Sequence, residues 1–109
     1  MRVIEIDTRK IKDWNSFHAY FKEIMGFPES YAENMDAWIS CMSDIDRSKP
    51  GMTKILIKPG ETLTIKLFNA ADFKERCPDQ LQALLECSAF VNMRKIENDA
   101  NTRISIALY

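Results

Sequence analysis

The segment between residues 28 and 46 carries the side chains with the clearest chemical potential. It contains five acids and neither lysine nor arginine, so its charge is −5 in a chain whose net charge is −1. The five are Glu29, Glu33, Asp36, Asp44 and Asp46. Carboxylates held in one place repel nucleic acid and attract a positively charged cleft of another protein, where they occupy the places of phosphate groups. A simpler interpretation is that acids near a helix start stabilise the helix dipole.

Catalytic and metal-binding sites are not indicated by the remaining reactive residues. His18 has no second histidine with which to share a metal or relay a proton, and we interpret it as structural. Cys41, Cys77 and Cys87 form no C-x-x-C pair and do not show zinc-ligand spacing. Glycine-rich phosphate loops and the G-x-S-x-G motif are also missing from the sequence. We therefore predict a non-enzyme without metal or cofactor, whose cysteines are reduced and mostly buried.

Length and composition predict one soluble domain over residues 1–109, with 46% hydrophobic and 28% charged residues. The near-zero net charge and the scattered basic residues argue against direct nucleic-acid binding. The first residues mix acids with apolar side chains, which is not the pattern of a signal peptide. Apolar runs also fall short of the ~20 residues that a membrane span needs. We expect a cytoplasmic protein that does not bind membranes.

Sequence periodicity places the acidic segment at the start of a helix. Residues 3–6 predict an opening strand, Asp13 predicts the N-cap of a first helix, and Gly26 predicts its end. Asn34 predicts the N-cap of a second helix. Its apolar stripe is Met35, Trp38, Ile39 and Met42, and its opposite flank is Asp36, Ser40 and Ser43.

The second half of the chain predicts the rest of an α/β fold. Residues 54–58 and 62–68 are typical of a hairpin around the turn at 59–61, and residues 104–108 of a final strand. Between them we predict a short helix over residues 70–76 and a longer one capped by Asp79. The expected architecture is a small, mostly parallel sheet flanked by helices, with residues 54–58 as an added antiparallel edge strand.

The acidic segment resembles the signature of the barstar family, small intracellular inhibitors of bacterial ribonucleases. The family pattern is Pro-Glu-x-Tyr-Gly-Glu-Asn-hydrophobic-Asp-Ala-hydrophobic. It is matched by Pro28, Glu29, Tyr31, Glu33, Asn34, Met35, Asp36, Ala37 and Trp38, and Cys41 also agrees. The resemblance extends more weakly over most of the chain, with residues 46–61 as an insertion. It implies a three-layer fold and an immunity protein or antitoxin whose loop and second helix block the active site of a basic ribonuclease or nuclease toxin.

The resemblance also implies a partner-binding surface centred on Asp36, which would meet basic residues of the nuclease. The predicted surface comprises Glu29, Ser30, Tyr31, Ala32, Glu33, Asn34, Met35, Asp36, Ile39, Ser40, Ser43 and Asp44. The sequence departs from the family at Ser40, where the dominant inhibitory aspartate would be, and at Ile39, where an aromatic residue would be. A second acidic contact maps to Glu86 or Cys87. These departures imply a cognate nuclease of its own, met through Asp36 and its acidic neighbours.

The alternative hypothesis is an interaction module of the same fold that binds a protein unrelated to nucleases. Ile39, on the apolar stripe of the second helix, and Ser40, on its opposite flank, favour this alternative because neither carries the family's side chain.

Overall fold

The computed structural model describes residues 2–47 and 51–109. Over these residues the chain forms one small sheet, one 3-10 turn and a set of α-helices. In chain order the elements are β1 (Arg2–Asp7), the 3-10 turn (Thr8–Lys10), α1 (Trp14–Met25), α2 (Met35–Met42), β2 (Thr62–Phe68), α3 (Ala70–Arg76), α4 (Pro78–Glu97) and β3 (Arg103–Leu108). None of the described helices is both long and apolar enough to cross a membrane.

The strands form one parallel sheet in the order β1-β2-β3. Ile65 at the centre of β2 lies opposite Ile4 of β1 and Ile106 of β3. Parallel neighbours need long crossover connections. In chain order, α1 and α2 connect β1 to β2, and α3 and α4 connect β2 to β3. The predicted parallel pairing of the opening, central and final strands is confirmed.

Only one face of this sheet is buried. Along β2, Leu63, Ile65 and Leu67 are fully buried, whereas the residues between them are half-buried. The strand β1 likewise buries Ile4 and Ile6 and exposes the alternate positions. Two right-handed crossovers that step in the same direction along a sheet place their helices on the same face. The predicted three-layer arrangement is therefore wrong, because the described residues form two layers and leave the second face of the sheet open to solvent.

Residues 54–58 do not form the predicted antiparallel edge strand. The backbone N–H groups of Lys54 and Ile55 donate to the carbonyl of Met25, at 2.9 and 3.3 Å, and the N–H of Ile57 donates to the carbonyl of Ile45 at 2.7 Å. The last carbonyls of a helix have no partner within the helix, so they accept from donors that pass nearby. The segment therefore pairs with the carboxyl end of α1 and with the loop after α2 instead of with β2.

A glycine at the end of α1 allows this close approach. Gly26 has a left-handed backbone with φ 69°, which ends α1 as predicted. A Cβ atom at this position would lie 2.7 Å from the Cβ of Lys54. Gly26 thus meets two requirements at once, the conformation of the turn and the space for the passing segment.

The helices α1 and α2 start at a side-chain cap, whereas α3 and α4 start without one. At α1 the carboxylate of Asp13 accepts from the Ser16 N–H at 2.8 Å, and the Ser16 hydroxyl oxygen accepts from the Asp13 N–H at 3.0 Å, so the predicted cap is confirmed. Helix α4 begins at Pro78, and Cys77 before it makes no side-chain cap. The predicted cap at Asp79 is wrong because proline, which has no N–H to satisfy, takes the first position of the helix.

Aromatic rings fill the space between the helices and the buried sheet face. Trp38 of α2 is fully buried and meets the ring of Phe21 edge-on at 5.9 Å. Within the described chain, the indole N–H of Trp38 has no hydrogen-bond partner. Cys41 and Cys77 are buried free thiols, as predicted for small core residues.

An asparagine of α4 closes part of the free edge of β3. The side-chain oxygen of Asn92 accepts from the Ile104 N–H at 2.8 Å, and its amide nitrogen donates to the Ile104 carbonyl at 2.9 Å. Because β3 lies at the rim of the sheet, this amide takes the positions that a further strand would use.

Candidate functional site

The candidate surface begins at the N-terminus of α2. Asn34 is extended, with φ −140° and ψ 167°, and its side-chain oxygen accepts from the Ala37 N–H at 2.8 Å, which confirms the predicted cap. Asp36 lies in the first turn and is exposed. A carboxylate at this position is favoured by the helix dipole. The cap and the dipole therefore hold Asp36 at the end of a fixed helix.

A buried pair of rings anchors the loop that precedes α2. Tyr31 is only 6% exposed and packs on Phe27, and its backbone N–H donates to the Pro28 carbonyl at 2.9 Å. Its hydroxyl lies 2.6 Å from Nδ1 of His18, which is 4% exposed and stacks on Trp14. The structure therefore places Tyr31 in the core, as an anchor of the predicted surface and not as an accessible part of it.

The protonation states of this pair follow from its burial. Burial raises the pKa of Tyr31 far above its ordinary value, so the phenol keeps its proton and can donate a hydrogen bond to Nδ1 of His18. Burial also lowers the pKa of His18, while the charge of Glu33 acts in the opposite direction. A neutral imidazole is the form that can accept the bond from Tyr31.

Acidification is expected to destabilise the protein below about pH 6.5 through His18. In the unfolded chain the histidine takes up a proton near its ordinary pKa of 6.5, whereas the folded protein keeps it neutral to a lower pH. The unfolded state thus binds more protons in this window, and the free energy of unfolding falls as the pH falls from the unfolded pKa to the folded one. Urea unfolding between pH 7.5 and about pH 5 measures this loss.

The matched control for this prediction is His18→Gln, whose amide oxygen can also accept from Tyr31. The variant should lose the decline in unfolding free energy between about pH 6.5 and 5, since Asp13 and Asp46, whose pKa values are lowered, act only below about pH 4.5. An equal decline in both proteins would assign the pH dependence to other groups.

Three acids of the predicted surface point outward. Glu33 and Asp36 are exposed, and no salt bridge within residues 2–47 and 51–109 reaches either of them. Glu29 meets Lys22 at 3.3 Å, but its side chain is 99% exposed, so this ion pair is weak. Glu33 also has a left-handed backbone, with φ 55°, a conformation that is unfavourable for residues other than glycine. The exposed acids are thus grouped at the amino end of α2.

The other two acids of the segment have internal partners. Asp44 accepts from Nε of Arg47 at 2.8 Å and from the Met52 N–H at 3.3 Å. Asp46 accepts from Nζ of Lys95 at 2.9 Å. Burial would raise the pKa of Asp46, but hydrogen bonds and the charge of Lys95 hold it below its ordinary value. The counter-charges missing from residues 28–46 thus come from outside that segment, and the structure turns Asp44 inward, away from the predicted contact.

The remaining predicted residues divide by exposure. Ser30, Ala32 and Ser40 are exposed, whereas Met35 and Ile39 are half-buried against the core. Ser43 is half-buried, and its hydroxyl donates to the Ile39 carbonyl at 2.7 Å. A partner that approaches α2 would therefore contact Asp36 and Ser40 more fully than Ser43.

Helix α4 carries Glu86 and Cys87, to which the resemblance maps a second acidic contact, and also Phe90 and Arg94, which the sequence reasoning did not join to this surface. Burial raises the pKa of the Cys87 thiol, and the charges of Glu86 and Asp36 raise it further, so both carboxylates lie near Cys87. Phe90 is 49% exposed on the same helix. The sequence signal for these residues is helical spacing: Glu86, Phe90 and Arg94 follow one another at intervals of four.

The chain is similar to one protein family over almost its whole length. A family model described as Barstar (barnase inhibitor) matches residues 1–107. No curated protein matches the chain significantly. In the described residues, no group of three or more histidine, cysteine, aspartate or glutamate side chains could hold a metal ion.

Proposed function

The chain belongs to the barstar family, and from this membership we propose that it inhibits a ribonuclease. In this proposal the loop at residues 28–33 and the exposed flank of α2 cover the active-site cleft of the enzyme. Glu33 and Asp36 take the places of substrate phosphates opposite the basic residues that bind RNA. Inhibition is then steric and electrostatic, with no bond made or broken.

The observation that carries the proposal is the exposure of these two carboxylates and their lack of salt bridges within the described residues. Glu33 and Asp36 are exposed and free of salt bridges to the described residues, and they flank the capped start of α2. The loop before them is anchored by the buried bond between Tyr31 and His18. A backbone that is already fixed loses little conformational entropy on binding, so more of the attraction between these carboxylates and a cationic cleft is retained as affinity.

We place this activity in the cytoplasm, where the chain would act as the immunity partner or antitoxin of a bacterial nuclease toxin. Free thiols at Cys41, Cys77 and Cys87 support a reducing compartment. A partner that binds RNA is itself basic, and long-range attraction between opposite charges speeds the encounter of the two proteins.

Inhibition of RNA cleavage tests the proposal directly. The chain is titrated into barnase and into ribonucleases encoded beside its own gene, and residual cleavage of a fluorogenic RNA is measured. We expect one-to-one inhibition of at least one enzyme, with an association rate that falls by about tenfold or more between ~0.05 and ~0.5 M NaCl because salt screens exposed charges.

Two outcomes would contradict the proposal. One is full ribonuclease activity of every enzyme at micromolar concentrations of the chain. The other is inhibition whose association rate does not change with salt, which would remove the carboxylates from the mechanism. Tight binding to a protein without nuclease activity would favour the interaction module instead.

A further inference from the structure

A cleft lies between the last turns of α2 and α4, toward the end of α2 that is opposite its exposed acids. Its volume is about 320 Å³, and the described residues that line it are Ser40, Ser43, Val91, Arg94, Lys95 and Asn98. Its polar groups are hydroxyls, an amide and two cations, so the charged groups of the cleft are positive, whereas the surface around Asp36 is negative.

The two cations of the cleft are in different states. The ammonium of Lys95 lies 2.9 Å from the carboxylate of Asp46 and 2.9 Å from the Ser43 carbonyl, and its side chain is 17% exposed. Its charge is therefore neutralised inside the protein. Arg94 is exposed and makes no salt bridge with the residues that the structure describes. Its guanidinium lies 5.6 Å from the centre of the Phe90 ring, which leaves its N–H groups available.

The cleft and the exposed acids lie on one continuous surface. Asp36 and Ser40 are four residues apart on α2, so they share one flank of the helix and are separated by about 6 Å along its axis. A partner that covers Asp36 must therefore also meet Ser40 and the cleft beside it.

We propose that this cleft receives a carboxylate of the cognate ribonuclease, so that the interface contains charge pairs of both signs. This inference rests on the proposed function. The planar guanidinium of Arg94 matches a carboxylate in geometry and charge, and the Ser40 hydroxyl can donate a further bond. A lysine or arginine of the partner would instead be repelled by Arg94 at this place. Ser40 and Arg94 thus select nucleases that carry an acid next to their basic cleft.

The substitution Ser40→Asp tests the proposal by the direction of its effect. An aspartate here would repel a carboxylate of the partner and would compete with it for Arg94, so we expect the dissociation constant to rise by about tenfold or more. If the cleft instead faced a cation of the nuclease, the same change would tighten binding. The probe is the ribonuclease that is inhibited most strongly in the cleavage assay, and binding is measured by titration calorimetry.

A second set of variants isolates the charge of Arg94. Arg94→Gln is expected to weaken binding by about tenfold, Arg94→Lys by less, and Lys74→Gln, which removes the same charge from α3, by less than about twofold. Thermal melts confirm that each variant is folded. A double-mutant cycle with Asp→Asn and Glu→Gln changes in the nuclease should show a coupling of about threefold or more for one acid.

The outcomes separate this inference from the function on which it rests. If Asp36→Asn weakens binding while Arg94→Gln and Ser40→Asp leave it unchanged or tighter, the carboxylate-binding cleft is wrong and ribonuclease inhibition stands. If Asp36→Asn, Arg94→Gln and Ser40→Asp all leave it unchanged, the surface at α2 is wrong: the cleft and the carboxylate mechanism both fall, and the enzyme is inhibited through another face.

Discussion

Replacing Glu33 and Asp36 together, by Gln and Asn, is expected to weaken binding to the ribonuclease by about 100-fold or more. Each carboxylate would lie against a cationic group in a cleft that excludes water, and truncation of one partner of such a pair costs about 2–5 kcal/mol. Neutral side chains of the same shape leave the partner's cations buried without a counter-charge. The dissociation constant is measured at low and high salt, and the double variant should also lose most of the salt dependence.

The matched control carries the same change of net charge on another part of the surface. Glu75→Gln with Asp79→Asn removes two exposed acids from α3 and from the start of α4. We expect this pair to change affinity by less than about threefold. Equal losses in the two double variants would show that the nuclease responds to overall charge and not to the surface at α2.

The substitution Trp38→Ala is expected to lower the free energy of unfolding by about 3–5 kcal/mol. Trp38 is fully buried, with its ring against Phe21, and its removal leaves a cavity under the helix that carries Asp36. For a domain of this size the total free energy of unfolding is about 5–15 kcal/mol, so the variant should unfold at much lower urea concentrations.

Trp38→Phe provides the comparison for this prediction. Phenylalanine keeps most of the apolar ring and removes the indole N–H, which has no partner in the described part of the chain. A buried donor without a partner is unfavourable, so its removal offsets part of the packing loss, and we expect a decrease of about 1–2 kcal/mol. Equal losses for Ala and Phe would mean that ring volume is not what stabilises α2.

Those parts of the fold that depend on neighbouring residues could be predicted from the sequence. Asp13 with Ser16, and Asn34 with Ala37, satisfy helix N–H groups only a few residues away, and both caps are confirmed. Residues 54–58 have the composition of a strand, but their partners are carbonyls at the ends of distant segments. Composition does not reveal which backbone groups a segment will meet, so the sequence could not show that this one joins the helical layer.

In the candidate site, too, the features that depend on neighbouring residues could be predicted, and those that depend on packing between distant segments could not. Asp36 and its cap could be placed from the sequence because they belong to one turn of one helix. The internal partner of Asp46 is Lys95, and the donor to His18 is Tyr31, so both pairings depend on packing between separate elements. The cleft at Ser40 also requires α4 to lie beside α2. Helical spacing places Arg94 on one face of α4 with Glu86 and Phe90, but it does not show which helix that face meets.

The amide of Asn92 has a consequence for aggregation of this chain at high concentration. Its two bonds to Ile104 imitate one residue of a neighbouring strand, so an incoming chain finds neither a donor nor an acceptor there. Extension of the sheet from one molecule to the next, the geometry of amyloid fibres, is hindered at this rim by an uncharged side chain.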